Sequence, residues 1–482
     1  MILKMATSFV FRKIVNRSKS FERYLILYIP WILAELVKSA SILSYLIAWT
    51  GSFFIFFISY SGWIKALPTD RTIPEQLMRP IFLVQIIFAG YMACTSIFYF
   101  LSLLGYIDIA QASARLLTDT NRLELTAQCQ RYYVLGHAAF TTGLILLMNY
   151  PVKRKYKVDN KKLTNILFIT AIICLPLSVL ADNISGLGQF YSQFSSLSFI
   201  AGTLALAFAI PQKKVFNTLF CVCLYLSNFY QALISGFKEP IIISILVLGI
   251  FLYPNYKKLV TFTFVPVLLL LFMYLPTYNQ VFRENNWDDS VNAEQAYKIA
   301  LEATLNPDES AEQSTSDFFV FRLSEMDMFT KFVQSTPDYI NYYQFDLVNQ
   351  AIAAIIPRVF WPAKPNMEDL VMERVYNAGV INRGSTVSAK PAYIVDGYLS
   401  GGALGIFLAL LVYGAAAQLI SQKAEQLFGG YILGTALIFS GLFQIFWRGL
   451  SFEFLVNSVF WSYITMLLIH KILRFYNILE KI

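Results

Sequence analysis

Lys153-Arg154-Lys155-Tyr156-Lys157-Val158-Asp159-Asn160-Lys161-Lys162 separates two apolar runs, near 131–149 and 163–181, and it decides how the chain is laid out. A short loop so rich in lysine and arginine stays on the cytoplasmic side of a membrane. Working outward, further apolar runs lie near 22–37, 41–60, 80–104, 191–210, 215–234, 239–253, 258–276, 397–418, 429–447 and 452–470. Each approaches the roughly 20 residues that cross a bilayer as a helix. Alternating spans bring Lys213 and Lys214, Lys257 and Lys258, Lys423, and Lys471 with Arg474 to the side of the basic loop. Both termini then face the cytoplasm.

The expected fold is therefore an all-α polytopic membrane protein of about twelve transmembrane helices. Its parts are a basic N-terminus (1–22), an N-terminal helical region (23–276), a long folded extracytoplasmic loop (277–395) and C-terminal helices (396–482). Composition agrees. The 482 residues are 57% hydrophobic and 14% charged, against about 25% charged in a soluble domain. The net charge of +8 sits in short loops on one side, which excludes a nucleic-acid surface as its cause. Cys94, Cys129, Cys174, Cys221 and Cys223 form no CxxC, and His137 and His470 stand apart, so neither a metal site nor a disulfide framework is expected.

The long loop is acidic and polar at first, with an amphipathic helix expected at Tyr297, Ala300, Leu301, Thr304 and Leu305. Further on, Phe345–Ile356 has apolar residues at helical spacing, too short to span. Pro357-Arg358-Val359-Phe360-Trp361-Pro362-Ala363-Lys364-Pro365 follows, and its prolines forbid a regular helix. A short apolar helix before a stiff cationic loop suggests a re-entrant or interfacial element holding Arg358 and Lys364 at headgroup depth. Simple anchoring by Trp361 and snorkelling cations is the competing reading.

Further cations fall on the same outer side: Arg322, Arg383, Lys238 in Ser235-Gly236-Phe237-Lys238, and Arg448 in Trp447-Arg448-Gly449. Together they suit an anionic headgroup such as a pyrophosphate, because a guanidinium fork matches phosphate oxygens in pairs. Singly, each reads equally as half of a local ion pair, Lys238 with Glu239 for example. Phe321-Arg322-Leu323-Ser324-Glu325-Met326-Asp327 reads as a helix opening, with Arg322 and Glu325 on one face. Glu325 or Asp327 could be a base, or Glu325 half of a salt bridge. Asp396 and Glu453 are carboxylates at membrane boundaries, where an ionisable group needs a partner or a role.

These pieces resemble a bacterial O-antigen polymerase (Wzy-type), an oligosaccharide repeat unit polymerase. The resemblance rests on Ser235–Lys238, Arg322-Leu323-Ser324, the proline-rich run 357–365, Ser385-Thr386, Asp396-Gly397-Tyr398-Leu399-Ser400-Gly401-Gly402-Ala403-Leu404-Gly405, and Arg448-Gly449. Lys238 stands where the family has Arg, and Asp396 where it has Glu. The resemblance implies a GT-C-like fold and a metal-independent, cofactor-free glycosyltransferase of the bacterial plasma (inner) membrane. Undecaprenyl-pyrophosphate-linked glycans would be donor and acceptor, with membrane lipids, a chain-length regulator and a flippase as candidate partners and no nucleic acid. Arg358, Glu325 and Asp396 would be catalytic. Arg322, Lys364, Lys238, Arg448, Arg383 and Trp361 would hold pyrophosphate or glycan. A ligase that moves finished glycan is the alternative within that chemistry. A polysaccharide or lipid transporter is the alternative outside it, and would carry broken or charged spans.

The topology has a direct test. A cysteine placed within Asn306–Thr315 should react with an impermeant thiol reagent in whole cells, and one placed within Lys153–Lys162 should not. The reverse pattern inverts the layout.

Overall fold

The computed structural model describes residues 22–105, 120–158, 160–184, 187–213, 215–234, 238–286, 292–306, 320, 325–384, 389–438 and 450–482. Helix dominates. After helical turns at Glu22–Leu25 and Ile26–Tyr28 come α1 (Ile29–Leu36), α2 (Ser41–Tyr60), α3 (Leu83–Leu103, with a π-helical turn at Ala89–Cys94) and α4 (Thr120–Leu147). Next are α5 (Asn160–Asn183), α6 (Tyr191–Ala209), α7 (Val215–Ile234), α8 (Lys238–Leu252) and α9 (Lys257–Asn286). Four shorter helices follow: α10 (Ala293–Leu305), α11 (Met326–Ser335), α12 (Asp346–Ile355) and α13 (Met367–Asn377). The chain closes with α14 (Tyr393–Leu427), α15 (Tyr431–Leu437) and α16 (Phe452–Phe475). β1 (Tyr156–Val158) and β2 (Leu479–Lys481) pair antiparallel.

Among the described residues seven helices are long and apolar enough to cross a membrane: α2, α3, α5, α6, α7, α14 and α16. The bent α9, kinked by 41° near its middle, makes eight if counted as one span. This corrects the expectation of about twelve spans, and the structure does not support the GT-C-like reading. The remaining expected spans fail on length, on polarity or on coverage. The run near 22–37 is broken into short turns, the apolar part of α8 is only Ile241–Leu252, and part of 429–447 lies outside the described residues.

α4 fails on polarity, for a reason that explains the bundle. It carries Gln130, Arg131 and His137, yet these and most of its other side chains are buried in protein. A helix walled by other helices needs partners for its polar groups rather than hydropathy. Arg131 Nε donates to Glu35 Oε1 at 2.9 Å and its Nη1 to Ser44 Oγ at 3.0 Å. Gln130 accepts from Ser96 Oγ at 2.6 Å and donates to the Ala93 carbonyl at 3.1 Å. Thr141 accepts from Gln85 Nε2 at 3.2 Å. Against α14 the contact is backbone to backbone: a Cβ on Gly143 would strike the Leu411 carbonyl, and one on Gly414 the Phe140 carbonyl. Small residues at such crossings let two helices approach closely.

The loops gather at two ends. At one, Lys155 N–H donates to the Gln426 carbonyl at 3.2 Å, Gln422 Nε2 to the Leu147 carbonyl at 2.7 Å, and Lys65 Nζ to the Ile145 carbonyl at 3.0 Å. The basic loop thus lies under the C-terminal end of α14. At the other end, Tyr343 N–H donates to the Leu399 carbonyl at 2.9 Å and Trp461 Nε1 to the Ile355 carbonyl at 2.9 Å. From Leu399 to Gln426 a helix rises roughly 40 Å, so the basic loop and the segment α11–α13 sit at opposite ends.

Two sequence expectations for the long segment hold. α10 forms where the amphipathic pattern lay, burying Ala300 and Thr304 of that pattern but leaving Leu301 and Leu305 exposed; α12 forms between Phe345 and Ile356, burying Leu347 and Ala351. Trp461 is nine residues into α16, so the contact with Ile355 sinks α12 beside that helix.

α14 is interrupted at Gly401 and Gly402, where Gly402 takes φ 60°, ψ −141°, a conformation L side chains avoid. The interruption frees the Leu399 carbonyl for Tyr343, and folds Gly397 onto Gly405 so closely that a Cβ on Gly405 would strike the Gly397 carbonyl. The Asp396–Gly405 motif is thus first a device for breaking a helix.

Gly414→Val should destabilise the detergent-solubilised protein by about 1–3 kcal/mol or more, the range for overpacking a tight core. Gly384→Ala, where a Cβ meets nothing within 4 Å among the described residues, is the control. Equal melting temperatures for the two variants would show that the α4–α14 crossing is looser than described.

Candidate functional site

Where α13 meets the first turns of α14 and α16, three ionisable side chains are buried together. Arg374 Nη1 donates to Glu453 Oε1 at 2.6 Å and Nη2 to Glu453 Oε2 at 3.0 Å, a two-pronged pair. Arg374 Nη2 also lies 3.4 Å from Asp396 Oδ1 and 3.5 Å from Oδ2. Asp396 Oδ2 accepts the Phe452 N–H at 2.8 Å, and Gln350 Oε1 of α12 accepts from Arg374 Nη1 at 2.9 Å. Relative exposures are 3% for Arg374, 0% for Asp396 and 1% for Glu453. Burial opposes the charge on Arg374, but Asp396 and Glu453 outweigh it and its pKa is raised. Two carboxylates against one guanidinium leave one negative charge too many for a dry site. The cluster can therefore hold a proton. Asp396 Oδ1, Arg374 Nε and Ser451 Oγ have no hydrogen-bond partner among the described residues.

The proline-rich loop holds itself together. Lys364, only 7% exposed, donates through Nζ to the carbonyls of Ala354 at 2.7 Å and Ile356 at 2.9 Å, capping the C-terminal end of α12. Burial, then the charge of Arg358, lowers its pKa. Arg358 Nη1 donates to the Lys364 carbonyl at 3.0 Å and Nη2 to the Pro365 carbonyl at 3.3 Å, and the residue is exposed. The stiffness expected from three prolines is reinforced by two cations. Trp361 is 37% exposed and Phe360 79%, so the loop presents aromatic faces outward.

Glu325 stands elsewhere, at the start of α11. It is not within a helix: its φ of 53° and ψ of 22° are left-handed, and Arg322, expected to share a helical face with it, lies outside the described residues. Non-glycine residues seldom hold that conformation and concentrate at functional positions when they do. Part of its surface stays open, yet protein closes round the carboxyl tightly enough for burial to push its pKa up to about 7. Nearby, Asp327 accepts from Tyr99 Oη at 3.0 Å and pairs with Lys331 Nζ at 3.3 Å. No described hydrogen bond or ion pair joins Glu325 to Asp396 or to Arg358.

Arg383 is exposed, and its fork is taken by Glu373 at 2.6 and 2.9 Å, with Asn377 Oδ1 at 2.9 Å. Arg322 and Arg448 lie outside the described residues; Lys238 opens α8, its side chain outside them. His137 is fully buried against Phe56 and Gln85. Sequence reasoning missed Arg374 and Gln350 altogether. The available signal was a charge on an apolar face: Arg374 follows Val371 by one helical turn and sits beside Val375, both fully buried.

A protein-family model described as "Domain of unknown function (DUF8712)" matches residues 29–481, and the chain belongs to that family. No curated protein and no solved structure matches.

Arg374→Met should cost about 3–5 kcal/mol, because it leaves two buried carboxylates facing each other. Adding Glu453→Gln should recover part of that loss. Thermal unfolding of the two single variants and the double variant in detergent measures the coupling; purely additive losses would mean that the pair is not coupled.

Proposed function

We propose that this member of the DUF8712 family joins lipid-pyrophosphate-linked oligosaccharide units at the outer face of a bacterial plasma membrane. The observation that carries the reading is Glu325, a carboxyl in a left-handed turn with its pKa pushed up to about 7, at the end of the bundle opposite the basic loop. A general base works best with a pKa near the working pH. In the proposed step the acceptor sugar hydroxyl attacks the anomeric carbon of the donor while its proton passes to the Glu325 carboxylate. The bond from that carbon to pyrophosphate breaks, and the pyrophosphate leaves with the electron pair. Arg358, exposed on a loop stiffened by its own hydrogen bonds, supplies positive charge to the leaving group. Donors fixed in advance toward growing charge lower the barrier without reorganising.

A second reading is transport of a lipid-linked glycan. The break at Gly401–Gly402 in α14 and the buried Arg374–Asp396–Glu453 cluster favour it, since broken helices and buried ionisable groups mark transport pathways.

Purified protein given lipid-linked repeat units alone distinguishes the readings. Ladders of longer chains support polymerisation; no extension points to a ligase or a transporter. Glu325 carries its proton below about pH 7 and releases it above, so extension should rise about tenfold from pH 6 to pH 8. Glu325→Gln should abolish extension at both pH values. Arg358→Ala should cost on the order of a hundred- to thousandfold in rate, far more than the small loss of melting temperature from its two loop hydrogen bonds accounts for. A pH profile that is flat in the parent rejects Glu325 as base.

A further inference from the structure

At the end of the bundle that holds the basic loop, a cleft of about 340 Å³ opens between α6, α8 and the start of α15. That is within the size range of small-ligand sites. Its walls are apolar, including Phe208, Ile250, Phe251 and Ile432. One side is closed by the segment between α2 and α3, which brings Arg71 to the rim.

The segment is firmly held. Arg79 donates to Asp70 at 2.6 and 2.7 Å and to Glu425 of α14 at 2.9 and 3.1 Å, and its guanidinium lies 3.9 Å from the Tyr150 ring centre. Gln76 Nε2 donates to the carbonyls of Pro68 at 2.9 Å and Arg71 at 3.0 Å, fixing the backbone at Arg71. The Arg71 guanidinium rests 5.0 Å from the Tyr431 ring centre, and the Tyr431 hydroxyl accepts the Met78 N–H at 3.1 Å. Arg79 is thus neutralised twice over by carboxylates; the Arg71 guanidinium is stacked on a ring and feels Asp70, Glu75 and Glu425 only through space, which leaves its N–H groups their donor capacity. The acidic group of the cleft, Glu75, is turned to its own turn and accepts the Thr72 N–H at 3.2 Å. Lys257 acts on Glu75 from the start of α9 and adds a second positive charge near the rim.

We infer that this cleft binds an acidic amphiphile, its phosphate head on Arg71 and its acyl chain along Phe208, Ile250 and Phe251. Basic pockets between helices on the side of a basic loop suit anionic lipid heads. A guanidinium fixed by stacking matches phosphate oxygens in a planar fork. The site is distinct from the Arg374 cluster and from Glu325, which lie at the opposite end of α14, so it does not depend on the proposed polymerisation.

The test is equilibrium binding to the purified full-length protein in non-ionic detergent, with dioctanoyl phosphatidate, dioctanoylglycerol and inorganic phosphate as probes. Phosphatidate should bind at least tenfold more tightly than either of the others. Arg71→Gln should weaken it roughly tenfold or more, Arg71→Lys less, because the charge remains. Ile432→Trp, at a partly exposed wall residue, should block the chain, and Glu75→Gln should tighten binding by removing an opposing charge. Melting temperatures confirm that each variant is folded. Phosphate binding as well as phosphatidate would reduce the site to an anion site for soluble phosphates and overturn the amphiphile. Equal binding of dioctanoylglycerol, or an unchanged affinity in Arg71→Gln, would overturn recognition of the head. Should Arg71→Gln fail to fold, an unchanged affinity in Glu75→Gln and Ile432→Trp overturns the site.

Discussion

α14 is pinned at both ends by a guanidinium held between two carboxylates, and the rest of the bundle is arranged round that constraint. At one end Arg374 joins Asp396 of α14 to Glu453 of α16; at the other Arg79 joins Glu425 of α14 to Asp70. Neither guanidinium comes from a long helix. Arg374 belongs to the short α13 and Arg79 to the non-spanning stretch before α3, so each pin fastens a cap onto the bundle. Buried ion pairs add little net stability over well-packed apolar groups, but breaking one is costly. Their use here is positional: α13 and the segment 68–82 sit where their arginines find both acids. The Arg374 pin also holds Gln350 of α12, which sets how deeply α12 lies beside α16. The proline-rich loop, which follows α12 directly and is tied to its end by Lys364, is thus placed partly by a contact that lies outside it.

Much of this was legible in the sequence, and the gaps have physical causes. Hydropathy found the helices that face lipid, such as α5, α7 and α16, because lipid selects for apolar side chains on every exposed turn. It misjudged α4, which extends from Thr120 rather than from near 131, since Arg131 and Gln130 are satisfied by neighbouring groups, and His137 is buried against Phe56 and Gln85, rather than excluded from the membrane. Helical spacing found α10 and α12. The site was harder. Asp396 and Glu453 drew attention as acids at helix ends, but their partner came from α13, whose run Met367–Asn377 reads as an ordinary surface helix. Pairings across 79 residues, as between Arg374 and Glu453, leave no local trace. Glu325 was singled out for its chemistry, and its left-handed backbone is invisible to any pattern of residue types.

The two cations of the proline-rich run illustrate a further limit. Charge alone cannot say whether a lysine faces a ligand or its own backbone. Lys364 spends its ammonium on the carbonyls of Ala354 and Ile356, which a helix end leaves without partners, while Arg358 secures the loop and still faces outward. Cations that serve the fold and cations that serve a ligand have the same spelling.

The break at Gly401–Gly402 has a mechanical meaning. A continuous helix is a stiff rod, and a push at one end is felt at the other. Here the rod is cut, and the severed carbonyl of Leu399 is tied instead to Tyr343 on the cap. The eight residues that carry Asp396 are therefore tied to α11–α13 as well as, through Gly397 packed against Gly405, to the rest of their own helix. The cap holds Asp396 through Arg374 and its helix through the Leu399 carbonyl, while the Glu425 end is fixed beside the basic loop. The bundle thus has a break near one surface, with the charged cluster on the short side of it.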